Sequence, residues 1–192
     1  RTAWLNVPYA DEPASCGHSY ITLEEATGHL VACTRAGVQG GFHVIGDRAV
    51  ETVVAALRAA AAECGADAVV AARHRLEHLE LLSPPLLADL SRLGVVASVQ
   101  PMFDALWGGD SSMYAERLGR ERAVAMNPFA DLSRAGVGLA FGSDSPVTPL
   151  GPWEAVRAAA QHHTAAQRLT VRAAFAAHTR GGWRAAGVDD SG

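Results

Sequence analysis

Four short apolar runs are spaced along the chain, "GFHVIGD", "RHRLEH", "VVASVQP" and "VGLAFGSDSPV", and longer helical stretches separate them. No tight hairpin turn joins one run to the next. Strands that must each be followed by a helix before the next strand can pair do so in parallel, through crossovers. The expected strands lie near residues 39–45, 70–78, 95–100 and 137–143. The fold class is therefore α/β, with about four parallel βα units.

The helical stretches carry their own punctuation. Thr22 is followed by Glu25 in capping-box spacing, and Gly37 closes that helix. From about Arg48 to Cys64, Val50, Val54, Leu57 and Ala61 form one apolar stripe, ended by Gly65. Ser83-Pro84 opens a helix with Leu86, Leu90 and Leu93 on one face and Gly94 as its stop. Asn127-Pro128 and Pro152 start further helices, the second bearing Trp153, Val156 and Ala160, and Thr170 caps another. Residues 1–21, with Pro8, Pro13 and Gly17, read as loop. Trp107 and Trp153 are expected to pack against neighbours.

"RHRLEH" admits two readings. On a helix, His74 and His78 stand one turn apart beside Glu77, the H-x-x-E-H spacing of one class of zinc proteases, for which Glu154 could be a distant third ligand. On a strand, His74, Leu76 and His78 face one way and Arg73, Arg75 and Glu77 the other. Helix propensity favours the first reading. The order of elements favours the second, because a parallel sheet needs a strand between the helix ending at Gly65 and the one starting at Ser83.

Composition narrows the function classes. Of 192 residues, 49% are hydrophobic and 19% charged, the balance of a globular chain. The net charge is −4 and no basic stripe is present, so nucleic acid is not an expected partner. No apolar run reaches the length of a membrane span. All sixteen basic residues are arginine, so no lysine can serve as nucleophile or metal bridge. Cys16, Cys33 and Cys64 form no C-x-x-C pair and are expected to be reduced thiols in a cytoplasmic protein.

On the strand reading, polar groups fall at the C-terminal ends of all four strands: His43, His78, Gln100 and Asp144. In parallel α/β folds this edge binds ligands. Two imidazoles and a carboxylate suit a divalent transition metal, zinc above all. A metal lowers the pKa of water towards 7, and Asp144 could take its proton. Each residue also has a plainer reading: a hydrogen-bonded strand-end histidine, a turn aspartate, or, for Asp47, a helix N-cap. His18, His29, His162 and His163 are expected in loops or facing solvent. On the metal reading, His74 is expected to lie deeper on the inward face or to pair with a carboxylate.

"GFHVIGDRAV", "RHRLEH", "SVQP" and "GSDSPV", in this order, resemble the metal-dependent amidohydrolase superfamily, specifically its amidohydrolase 3 group. "RTAWLNVPYAD" resembles the segment that follows the fourth strand there. The resemblance implies a TIM-type (β/α)8 barrel, with His43 and His78 as metal ligands from the fifth and sixth strands. It implies that Asp144, from the eighth, is ligand and general base, with Gln100 and Asp47 as outer-shell or substrate-side groups. The implied chemistry is hydrolysis of C–N bonds in a small amide, formamide, N-acyl or cyclic ureide substrate, with one or two divalent ions. The family's first-strand His-x-His and its bridging lysine or glutamate have no counterpart here. A full barrel takes about 250 residues. Residues 1–192 are thus expected to form a single partial domain, the second half of the barrel, without the N-terminal half and the β-sandwich. Alone, such a chain is expected to be inactive, a silent structural or interaction module. Its open strand edges would call for a second copy, giving a homodimer, or for further chain.

Overall fold

The computed structural model describes residues 1–188. Its sheet has four strands, β1 (Gly41–Val44), β2 (Arg75–His78), β3 (Val96–Val99) and β4 (Gly138–Phe141), in the order β1-β2-β3-β4. Every pairing is parallel. The α/β partial barrel expected from the sequence is what the chain forms, and all four strands lie within or close to their expected ranges.

Helix α1 (Leu23–Arg35) precedes the sheet, and its capping box is complete. Glu25 N–H donates to Thr22 Oγ1 at 3.1 Å, and Thr22 N–H donates to the Glu25 carboxylate at 2.7 Å. Such a cap stabilises a helix by about 1 kcal/mol. Helix α2 (Asp47–Cys64) buries Val50, Val54 and Leu57 as its stripe predicts, together with Val53, Ala56 and Ala60. Helix α3 (Ala66–Ala72) was not anticipated. Its alanines follow helix propensity, and it ends where Arg73 enters the left-handed region at φ 50°. The expected strand at 70–78 is therefore confined to Arg75–His78.

This outcome removes the zinc-protease reading. Residues 75–77 pair with strands on both sides and His78 with Val44 of β1, so His74 and His78 lie at opposite ends of one strand rather than one helical turn apart. His74 is buried, and its partners are not a carboxylate. Gly40 N–H donates to its Nδ1 at 3.0 Å, which leaves the proton on Nε2 to donate to Thr34 Oγ1 at 2.9 Å.

The chain continues through α4 (Leu87–Arg92), α5 (Pro101–Trp107), α6 (Met113–Leu118), α7 (Arg120–Val124) and α8 (Phe129–Arg134). After β4 come α9 (Pro152–Gln161), α10 (Val171–His178) and α11 (Arg180–Ala185). The main core joins one face of the sheet (Val44, Leu76, Val99, Phe141) to helical residues such as Leu30, Leu57, Leu90, Phe129 and Val156. A second cluster unites Leu5 and Tyr9 with Leu81, Tyr114, Leu118 and Met126, with Trp107 packed against it as expected. Trp153 instead stays 67% exposed and stacks on Phe175. Helix α11 crosses β4 so closely that a Cβ at Gly181 would sit 2.1 Å from the Leu139 carbonyl oxygen; only glycine fits there.

Cys16, Cys33 and Cys64 are free thiols. No helix among the described residues is long and apolar enough to cross a membrane.

Candidate metal centre

The C-terminal ends of β1 and β2 bring His43 and His78 together. Their ring centroids are 4.5 Å apart, edge to face at 69°. Simple alternation does not give this arrangement. In register, His78 is opposite Val44 and His43 is opposite Glu77, so a regular pleat would put the two rings on opposite faces. The expectation that His74, Leu76 and His78 share a face fails at this point. Leu76 enters the main core, whereas His78 has φ 75° and Leu79 φ 47°. Left-handed backbone at two consecutive non-glycine residues costs about 1–2 kcal/mol each. The strained turn is held by Leu79 N–H donating to Val44 O at 2.8 Å and Leu81 N–H to Ile45 O at 3.0 Å.

His78 is buried and held on two sides. Phe103, from α5, lies parallel to its ring at 5.8 Å. Gln100, at the end of β3, meets His78 Nδ1 with Oε1 at 2.9 Å. The Gln100 amide nitrogen donates instead to Ser98 O at 3.3 Å, which orients the carbonyl oxygen towards the ring. An acceptor facing Nδ1 places the imidazole proton there and leaves the Nε2 lone pair free. His43 is accessible at the edge of the sheet. Partial burial, and then the neighbouring His78, push its pKa down, while Asp144 and Glu77 pull it up. The neutral form favoured by burial is the form that ligates metals.

Asp144 follows β4 in an exposed turn with φ 53°, where its carbonyl accepts from Val147 N–H at 2.8 Å. It shares the rim closely enough for its charge to act on His43. Among the described residues, however, no three His, Cys, Asp or Glu side chains form a group that could hold an ion. The structure thus pairs the two histidines and leaves Asp144 on the same edge without closing the set. The donors present, two imidazoles with one nitrogen oriented by Gln100, fit part of a metal site that other ligands would complete. Asp47 does not approach the pair through any hydrogen bond. It is the first residue of α2 after Gly46, and its Oδ1 accepts from Asn6 N–H at 3.0 Å and Arg48 N–H at 2.9 Å. It ties the leading segment to the rim.

Two groups escaped the sequence reading. Glu80 lies two residues beyond His78, between Leu79 and Leu81, and is only 3% exposed. Burial pushes its carboxyl up to about 7, although a hydrogen bond from Tyr114 opposes the shift. A carboxylate inside a "HLELL" run was the signal available. The second is His162, which lies in a loop beside the exposed His163 as expected but does not face solvent. His162 is buried, bonded to Asn127 O at 3.0 Å, and burial lowers its pKa. His163 bonds Asp104 through both its backbone N–H and Nδ1. The buried Asp104 of α5 draws this loop inward.

Beside His43 opens a cavity of about 750 Å³. Trp4, Tyr9, Tyr20, Phe42, Trp107 and Glu80 are among its walls.

The comparisons agree with this architecture. A sequence model of the amidohydrolase family matches residues 1–192. The LONG AFTER FAR-RED 3 protein of Arabidopsis thaliana is 34% identical over 152 residues, 79% of this chain and 25% of that protein. YtcJ of Bacillus subtilis (strain 168), which carries the name of an amidohydrolase, is 31% identical over 161 residues, 83% of this chain and 28% of its own. Crystal structures of metal-dependent hydrolases from Pyrococcus furiosus and Pyrococcus horikoshii OT3 superpose with TM-scores of 0.85 and 0.84 at 27% and 28% identity. In both cases 99% of this chain is covered but only 38% of the other. The chain therefore spans about a quarter of the length of these curated relatives. With the family model matched along its whole length, the chain belongs to the amidohydrolase family.

Proposed function

We propose that residues 1–192 form the second half of a metal-dependent hydrolase that cleaves C–N bonds in small amide-type substrates. The observation that carries this reading is the His43–His78 pair on the C-terminal rim of a parallel sheet. His43 and His78 would hold a divalent ion, zinc by preference for imidazole and carboxylate donors, with Asp144 joining them and further ligands supplied from outside this chain. Bound there, the ion would polarise the scissile carbonyl and make water nucleophilic near neutral pH.

The chain's own residues do the rest. Asp144, exposed on the rim, accepts the proton of the attacking water and returns it to the departing nitrogen. Gln100 keeps the His78 proton on Nδ1, so that Nε2 stays available. Phe103 shields that ring from water. Asp47 holds the leading segment in place as a wall on the substrate side. The free thiols suit a reducing, cytoplasmic compartment. The outer edges of β1 and β4, unpaired among the described residues, would be covered by the rest of a barrel or by a second copy.

Alone, these residues would be catalytically silent, because two paired imidazoles and a nearby carboxylate make an incomplete ligand set. The test is metal content and turnover in the intact protein. The expected result is at least one divalent ion per chain and a fall of about 10²–10⁴-fold in kcat for Asp144→Asn. Full activity in that variant would remove Asp144 from the chemistry.

A further inference from the structure

Helix α5 supplies two of the contacts that hold His78, and both come from its start. Gln100, its N-cap, faces His78 Nδ1 at 2.9 Å, and Phe103 lies parallel to the ring at 5.8 Å. A helix of 7 residues cannot hold itself together in water, so tertiary contacts must fix it. Asp104, next to Phe103 in the same helix, makes the polar part of that anchorage. It is 3% exposed. Its Oδ2 accepts from the His163 backbone N–H at 3.0 Å and from His163 Nδ1 at 3.1 Å. His162 Nε2 lies 3.4 Å from its other oxygen. A Cβ at Gly108 would collide with this carboxylate, so glycine there leaves room for it.

The partners of Asp104 come from one place. Residues 162–163 close α9, which packs against α5 and follows the turn that carries Asp144. Asp104 thus ties the helix that holds His78 to the segment that follows Asp144. Burying a carboxylate costs free energy, and apolar residues of similar volume often stabilise a core as well or better. Stability alone therefore gives a poor reason for an aspartate here. Directional hydrogen bonds that allow a short helix only one placement give a better one.

We propose that Asp104 is a positioning residue of the metal centre: through His163 it fixes α5 where Phe103 and Gln100 hold the His78 ring with Nε2 free. The inference rests on the hydrolase reading above and adds to it a residue that acts only through α5.

The test compares Asp104→Leu, Asp104→Asn, His163→Ala and His74→Ala in the intact protein. Leucine keeps a branched shape and removes both acceptors. Asparagine keeps one acceptor for the His163 backbone N–H. His74→Ala perturbs the opposite end of β2 and controls for lost stability. Zinc affinity is measured by competition with a fluorescent chelator, and urea midpoints are taken on the same samples. Asp104→Leu is expected to weaken zinc binding about tenfold, the lower end of the range for groups that orient a ligand from behind. Asp104→Asn should restore most of that affinity, and His74→Ala should leave it unchanged. His163→Ala alters an exposed side chain and should fold even where Asp104→Leu does not. It removes one donor, and its expected loss is about threefold.

A second readout needs no metal. In chelator-treated protein with isotope-labelled histidine, the His78 ring signals are identified by their loss in His78→Ala. They should shift in Asp104→Leu and His163→Ala, because Phe103 moves off the ring, and stay in place in His74→Ala. Unchanged zinc affinity with unmoved His78 signals in either Asp104→Leu or His163→Ala overturns the inference, as does a loss in Asp104→Leu no greater than in His74→Ala. Retention of zinc in both His43→Ala and His78→Ala refutes the hydrolase reading instead. The His78 signals of the metal-free protein then still decide whether Asp104 fixes the ring, so the two failures are separable.

Discussion

The two ends of β2 carry a histidine each, and the protein treats them differently. At the N-terminal end, His74 is sealed: Gly40 and Thr34 occupy both ring nitrogens. Nearby, Gln39 Nε2 donates to Arg73 O at 2.6 Å and to Ala185 O at 3.0 Å, closing α11 against the sheet. At the C-terminal end, His78 sits on a left-handed backbone with one nitrogen held by Gln100 and the other left free. Around it stand the accessible His43, the left-handed Asp144 and the buried carboxyl of Glu80, bonded by Tyr114. One rim spends its polar groups on holding the fold together. The other tolerates strain and keeps polar capacity in reserve, the usual mark of a working site.

The largest difference should appear when each histidine is removed. His74→Ala leaves two buried polar groups unmatched and opens a cavity, and should destabilise the protein by about 3 kcal/mol while leaving metal content unchanged. Urea unfolding and elemental analysis of the same sample check both halves. His78→Ala should do the reverse, losing metal at a smaller cost in stability. If both variants behaved alike, the contrast between the rims would fail.

Gln100→Leu comes next. It frees the His78 proton to move to Nε2 and should weaken divalent-metal binding about 10–100-fold, measured by competition with a chromophoric chelator. Gln100→Glu, which keeps the acceptor, should restore most of that affinity. An effect on folding alone would leave both variants equally impaired.

A pH effect follows from the buried histidines. Burial lowers the folded-state pKa of His74 and His162 from 6.5. Each is kept neutral in the native state and binds a proton more readily when unfolded. Their contribution to stability is therefore complete above about pH 6.5 and declines as pH falls from there towards their lowered folded values. Urea midpoints at pH 7.5 and 5.5 should show this loss, and His74→Asn should reduce it. The smallest effect concerns the surface. Arg58 and Arg92 hold Asp89 down to about 2 from 3.8. The stability this adds is present above pH 3.8 and lost as pH falls through 2. Because the arginines are well exposed, Arg58→Ala should cost under about 1 kcal/mol at neutral pH.

Much of this was written in local sequence. The four strands, the capping box at Thr22 and the polar residues at the strand ends follow from periodicity and from the rule that parallel strands finish on one side. The failures have nonlocal causes. The start of β2 was misplaced because Ala66–Ala72 satisfies helix propensity before the strand begins. The His43–His78 contact depends on two left-handed residues that break the pleat, which alternation cannot announce. Glu80 acquires meaning only when α6 brings Tyr114 and the leading segment brings Trp4 and Tyr9 to the same cavity. His162 is buried through Asn127, a partner far away in the chain.

The claim at the centre, that the C-terminal rim is where a metal binds, is tested most directly by anomalous scattering from crystals of the intact protein grown with zinc. The account predicts a peak about 2.0–2.1 Å from one ring nitrogen of His43 and one of His78, with none at His74. A fully occupied peak bonded to neither of the rim histidines would contradict it.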